Sequence, residues 1–145
     1  MAYTRRINVD WTYPREYNSA INSDHSIGQG LYQITRKIGD NETLLYIGIV
    51  TSKERDLYQR LEEHRTKWLD EVRGTIIIRF GRIVPCQGLT IDEKLIDEVE
   101  SLLIFETQAK INIQKKQSYT VRHDIEVTNT GNYGKLPKVI DSNEH

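Results

Sequence analysis

Two neighbouring runs near residue 40 have the apolar and polar pattern of β-strands. The first, Gly30 to Ile38, reads GLYQITRKI and alternates apolar with polar positions. The second, Leu44 to Val50, reads LLYIGIV and is apolar and β-prone. Gly39-Asp40-Asn41 between them is a turn signal. The pattern therefore predicts an antiparallel hairpin.

Helical spacing follows the hairpin. Apolar residues recur three or four positions apart from a candidate N-cap, Ser52, to about Val72, and Gly74 ends the pattern. A third strand is predicted at Thr75 to Val84, with a bulge at Gly81.

A second helix is predicted further along the chain. Thr90 and Glu93 have the spacing of a capping box at its start. Its apolar face carries Leu95, Val99 and Leu102.

The element order β-β-α-β-α predicts an α+β fold. We expect a small mixed or antiparallel three-stranded sheet flanked by helices, within a domain of residues 29–113. Residues 1–28 are interpreted as an N-terminal arm with little periodicity. Residues 114–145 are interpreted as a basic C-terminal extension, partly irregular.

Composition narrows the function classes. A chain of 145 residues fits one domain, and its net charge of −1 argues against a protein that coats DNA non-specifically. One cysteine, Cys86, allows neither an internal disulfide nor a thiolate zinc cluster. No run is apolar enough to span a membrane and no secretory signal is present, so the expected location is the cytoplasm.

A basic stretch follows the second predicted helix. Its cations either contact DNA phosphates or form an ordinary solvated surface, and the sequence favours neither. They are Lys110, Lys115, Lys116 and Arg122.

Side chains that suit phosphodiester chemistry lie on these elements. Tyr32 and Tyr46 occupy paired strands, where they can share a face. Arg60 and His64 are four residues apart on a helix and share a face. Glu100 lies on the second helix. Each alone has an ordinary explanation, such as a half-buried tyrosine, a surface ion pair or a solvated carboxylate.

In combination, the motifs resemble the GIY-YIG nuclease family. The elements occur in the family's order from Gly30 to Asn112: GLY, YIG, the helix DLYQRLEEH, VESLLI and INIQ. The first motif has Leu31 where the family has isoleucine, a change that conserves volume.

The resemblance implies a DNA endonuclease that uses Mg²⁺ or Mn²⁺. Tyr32 would be the general base, Tyr46 would orient water or phosphate, and Arg60 would clamp the phosphate. His64 would hydrogen-bond a tyrosine or relay a proton, and Glu100 would bind the metal. The residues with an expected structural role are Gly30, Gly48 and Asn112. A homo-oligomer is expected if both strands are cut, because one domain of this family cuts one strand.

Three other interpretations remain open from the sequence. The chain is compatible with a non-catalytic nucleic-acid-binding module that keeps the nuclease fold. It is compatible with a protein-interaction domain in which the motif match is incidental. A nuclease that acts on RNA in place of DNA fits the same residues.

Overall fold

In the part of the chain that the structure describes, seven β-strands form one curled sheet and make up most of the regular structure. The computed structural model describes residues 4–51, 55–85, 91–112 and 124–142. The strands are β1 (Arg5–Trp11), β2 (Arg15–Glu16), β3 (Gly30–Ile38), β4 (Asn41–Val50), β5 (Thr75–Pro85), β6 (Ile125–Gly131) and β7 (Val139–Asp141). The α-helices of these ranges are α1 (Tyr17–Ile21), α2 (Leu57–Lys67) and α3 (Glu93–Thr107).

The strands follow the order β4-β3-β5-β1-β6-β7, and β2 also pairs with β5. β1 and β6 run parallel, whereas the other described pairs are antiparallel. The predicted three-stranded sheet is therefore wrong. β3, β4 and β5 continue into four further strands, which come from residues 1–28 and 114–145.

The sequence did contain a signal for the additional strands. In β1, Ile7, Val9 and Trp11 are buried and alternate with more exposed polar residues. In β6, Ile125 and Val127 repeat the pattern. Both runs are short and contain charged residues, which hid their period of two. The interpretation of residues 1–28 as an arm with little periodicity is wrong for β1, whereas β6 lies in an extension that was expected to be only partly irregular.

Both long helices begin at an aspartate, later than predicted. The Asp56 side chain accepts a hydrogen bond from the backbone N–H of Gln59, and the Gln59 side chain accepts one from the N–H of Asp56. This reciprocal pair is the capping box of α2. Asp92 caps α3 by accepting from Leu95 N–H. The predicted caps Ser52 and Thr90 are therefore wrong, and both lie outside the described residues.

The expected bulge is in a different strand. Gly81 pairs with Leu31 of β3 and with Trp11 of β1, and neither ladder has a register shift there. Gly81 is required for another reason: a Cβ there would lie 2.8 Å from the Trp11 ring. The register shift lies in β4, where Tyr46 pairs with Ile34 but Leu44 pairs with Thr35.

Buried apolar side chains form two clusters, one on each face of the sheet. Side chains of a strand alternate between faces. Accordingly, Leu31 and Ile47 belong to the cluster that contains the apolar residues of α3. Tyr32 and Ile34 belong to the cluster that contains Leu57 and Leu61 of α2. The apolar residues of α2 and α3 thus belong to different clusters, and the hairpin β3–β4 contributes to both.

Candidate active site

The hairpin holds Tyr32 against a glycine on the neighbouring strand. Tyr32 in β3 pairs with Gly48 in β4, and its side chain is fully buried. A Cβ at Gly48 would overlap the hydroxyl end of the Tyr32 ring and lie 2.8 Å from its Cε1. Tyr32 of the GLY motif therefore requires Gly48 of the YIG motif, because only glycine leaves room for the tyrosine ring. Tyr46 lies on the same face, with its ring centroid 6.0 Å from that of Tyr32.

A chain of hydrogen bonds runs from Tyr32 into α2. Tyr32 Oη lies 2.7 Å from His64 Nε2. On the other side of the imidazole, Trp68 Nε1 donates to His64 Nδ1 at 2.9 Å. The sequence placed Trp68 only among the apolar positions of the helix, so its role was missed. Its spacing of four from His64 was the available signal.

Arg60 lies one turn before His64 and contacts the second tyrosine. Its Nη2 donates to Tyr46 Oη at 3.4 Å, and its Nη1 donates to Glu63 at 3.0 Å. About a quarter of the Arg60 side chain is exposed, 24%. Tyr46 is also partly exposed, whereas Tyr32 is not. The open side of the cluster is therefore formed by Arg60 and Tyr46.

Glu100 joins this cluster from α3. The helix packs against β4, the strand that carries Tyr46. Glu100 is buried, 8% exposed. Its carboxylate is close enough for its charge to contribute to the raised pKa of Tyr32. The structure thus brings Tyr32, Tyr46, Arg60 and Glu100 into one electrostatic neighbourhood, although they come from four separate elements.

Electrostatics keep the Tyr32 phenol protonated in the free protein. Burial raises the pKa of Tyr32 well above its ordinary value near 10, and the neighbouring Tyr46 raises it further. The charge and hydrogen bonding of Arg60 act in the opposite direction on this pKa. A base at this position therefore needs additional positive charge before it can lose its proton near neutral pH.

Asn112 ties the segment after α3 to the hairpin. Its Oδ1 accepts from the backbone N–H of Ile47 at 2.9 Å, and its Nδ2 donates to Ile47 O at 3.0 Å. The side-chain amide of Asn112 thus pairs with the backbone of β4 at Ile47, between Tyr46 and Gly48, as a neighbouring strand would.

Gly30 has φ +147°, and a Cβ there would lie 3.2 Å from Gly81 O.

We expect the protein to lose stability through His64 as the pH falls from 6.5 to 4. Burial and the charge of Arg60 lower the pKa of His64 from 6.5 to about 4. The unfolded chain therefore binds a proton in this range that the folded protein does not, so the free energy of unfolding decreases by up to about 3 kcal/mol.

The measurement is chemical denaturation of wild type and His64→Gln at several pH values. Subtracting the two curves removes the titration of carboxylates, which both proteins share. The difference should fall between pH 6.5 and 4 and be flat above pH 7. Equal slopes for the two proteins in this range would contradict the lowered pKa.

Of the four basic residues expected to contact DNA, one lies in a described range. Lys110 is exposed in the turn after α3. Lys115, Lys116 and Arg122 lie outside the described residues.

A separate cavity of about 590 Å³ lies at the start of β3 and α2, lined by Gly30, Leu57 and Phe80 among others. Of the predicted catalytic residues, none lines it.

The donor set near Glu100 fits a hard cation with few protein ligands. Within the four described ranges, no three His, Cys, Asp or Glu side chains are grouped as a metal site. Mg²⁺ typically keeps several waters and takes one or two carboxylates together with substrate phosphates. One buried carboxylate near Tyr32 fits that preference and does not fit Zn²⁺, which takes three or four protein ligands, mostly nitrogen or sulfur.

Comparisons with protein families, with curated proteins and with solved structures found no match for this chain. In the described part of the chain, no helix is both long and apolar enough to cross a membrane.

Proposed function

We propose that this protein is a divalent-metal-dependent endonuclease that hydrolyses phosphodiester bonds in DNA. Its motifs resemble those of GIY-YIG nucleases. The observation that carries the proposal is the convergence of Tyr32, Tyr46, Arg60 and Glu100. Together these side chains offer a base, a phosphate clamp and a metal ligand, and Tyr46, Arg60 and Glu100 all act electrostatically on Tyr32, which supports the proposal.

Arg60 and Tyr46 bind the phosphate in this proposal. Both lie on the open side of the cluster, where a DNA strand has access. The guanidinium offers a fork of N–H donors that matches phosphate oxygens and neutralises charge that develops on phosphorus. Glu63 holds Arg60 in place in the free protein.

Tyr32 first loses its phenol proton to solvent, and the phenolate then takes one proton from the attacking water. The water oxygen forms a bond to phosphorus, the bond to the 3′-oxygen breaks, and this oxygen is protonated by solvent. The products carry 5′-phosphate and 3′-hydroxyl ends. Glu100 would hold Mg²⁺ or Mn²⁺, which supplies Lewis acidity and positive charge when bound. Positive charge near the phenol opposes the effect of burial on the pKa of Tyr32.

One cluster of this kind cuts one strand. The proposed product on duplex DNA is therefore a nick, and a cut through both strands would need two copies of the chain. RNA contains the same phosphodiester, so it belongs in the test as a second substrate.

A non-catalytic nucleic-acid-binding module is the alternative, and one observation favours it. The Tyr32 phenol is fully buried and its pKa is raised, which suits a structural tyrosine as well as a base. This alternative predicts binding that survives removal of the metal and leaves the nucleic acid intact.

The test is nicking of supercoiled plasmid by wild type and Arg60→Ala, with Mg²⁺, with Mn²⁺ and with EDTA. Wild type should nick in the presence of either metal and not in EDTA. Loss of the guanidinium should slow nicking by about 10²- to 10³-fold, because one preorganised donor to the transition state has this effect.

A strict recognition sequence would mask activity on one plasmid, so genomic DNA and structured RNA are tested in parallel. Wild type that binds these nucleic acids but cuts none would leave the binding module as the function. Equal nicking by Arg60→Ala would show that Arg60 does not clamp the phosphate.

A further inference from the structure

The hydrogen bond from Trp68 determines where His64 carries its proton. Trp68 Nε1 lies 2.9 Å from His64 Nδ1, and the two rings meet edge to face at 74°. An indole nitrogen can donate a hydrogen bond but cannot accept one. Nδ1 must therefore accept, so the proton of the neutral imidazole is on Nε2.

This tautomer sets the direction of the next hydrogen bond. His64 Nε2 lies 2.7 Å from Tyr32 Oη, so Nε2–H donates to the phenol oxygen. The opposite tautomer would place two N–H groups against each other between His64 and Trp68. His64 is therefore not the acceptor of the Tyr32 proton, and a relay of that proton into α2 is excluded.

We propose that Trp68 is a positioning residue that fixes the tautomer of His64, so that His64 donates a hydrogen bond to Tyr32 Oη. The consequence of this tautomer for cleavage rests on the proposed function. A donated hydrogen bond stabilises the phenolate more than the phenol. With this bond on one side, the Tyr32 proton leaves toward the open side, where the phosphate and its attacking water bind.

The other groups around the imidazole do not determine which of its nitrogens carries the proton. Arg60, Glu63 and Lys67 of α2 act on His64 through their charges. Tyr46 contacts the ring from β4, with centroids 4.5 Å apart. Charges change how readily the ring is protonated, and the Tyr32 hydroxyl can either donate to Nε2 or accept from it, so the indole N–H at Nδ1 is the contact that fixes the tautomer.

Trp68→Phe removes the N–H and keeps an aromatic ring beside His64. The first readout is the ¹⁵N chemical shift of both His64 ring nitrogens at pH 7, in full-length protein. Wild type should show an unprotonated Nδ1 and a protonated Nε2. In Trp68→Phe the population should move toward the Nδ1–H tautomer, because Nδ1 has lost its donor.

The second readout is single-turnover cleavage of DNA. We expect the single-turnover rate constant to fall by about 10- to 100-fold in Trp68→Phe, with the half-saturating protein concentration unchanged, which is the effect of removing a partner that orients a metal-bound histidine.

Trp11→Phe is the matched control. Trp11 Nε1 also donates at 2.9 Å, to Asn129, but within the core on the face that α3 covers. It should lose stability and leave both the His64 shifts and the single-turnover rate constant unchanged.

Several results would overturn the inference. Wild type with a protonated Nδ1, or Trp68→Phe with the wild-type tautomer, would show that Trp68 does not set it. A changed tautomer with the wild-type single-turnover rate constant would remove the positioning role. Wild type that cuts no nucleic acid would instead overturn the proposed function, and the nitrogen shifts alone would then decide whether Trp68 sets the tautomer.

Discussion

Replacing Gly48 by alanine is expected to destabilise the protein and abolish cleavage together. The added methyl group would overlap the hydroxyl end of Tyr32, which is a rigid, fully buried side chain. The ring must move, and it would then lose its hydrogen bond to His64. Overpacking of this kind costs about 1–3 kcal/mol, and displacement of the proposed base should slow cleavage by at least about 10²-fold.

Tyr32→Ala supplies the control for this prediction. In its background the space beside Gly48 is empty, so adding the methyl group should cost little. Denaturation of the four proteins of this double-mutant cycle measures the coupling between the two positions, expected at about 2 kcal/mol. A Gly48→Ala substitution that costs as much without the Tyr32 ring as with it would contradict this account of the motif.

Glu100→Gln is expected to have the largest effect on cleavage. The substitution keeps the size of the side chain but removes its charge, and with it the proposed bond to the metal. Lewis-acid stabilisation of a phosphoryl transition state amounts to several kcal/mol, which corresponds to a loss of about 10³-fold or more in kcat. Binding of DNA should persist, because Arg60 and Tyr46 are unchanged.

Glu98→Gln is the matched control, two residues away on α3. Glu98 is buried and binds Arg5 through both carboxylate oxygens, with the shorter contact at 2.6 Å. Breaking a buried ion pair costs about 3–5 kcal/mol, so this variant should be the less stable of the two. Its kcat under conditions where it is folded should match wild type. Parallel losses of stability and kcat in both variants would show that Glu100 is structural.

The hairpin was predictable because its residues carry a local signal. β3 begins at Gly30 and ends at Ile38, where the alternation of apolar and polar residues predicted it. The pairing register of β3 and β4 then places Tyr32 opposite Gly48. The positions of Arg60 and His64 on α2 were equally local, because residues four apart on a helix share a face.

The wider sheet was not predicted, because its partners are far apart in the chain. β1 lies between β5 and β6, and its side chains pack with residues more than 100 positions away, as in the bond from Trp11 to Asn129. Alternation predicts that a strand exists but not which neighbour it pairs with. The hydrogen bond from Trp68 was hidden for a related reason: its indole N–H reaches His64 only when the ring has the orientation that the fold gives it.

The central claim is that this cluster hydrolyses a phosphodiester and does not only bind one. Single-turnover cleavage of end-labelled DNA, with protein in excess so that all DNA is bound, tests it most directly. In Mg²⁺, wild type should convert bound DNA to products with 5′-phosphate ends, whereas Glu100→Gln should bind equally and leave the DNA intact. Bound DNA that stays intact with wild type, or is cut equally fast by Glu100→Gln, would contradict the claim.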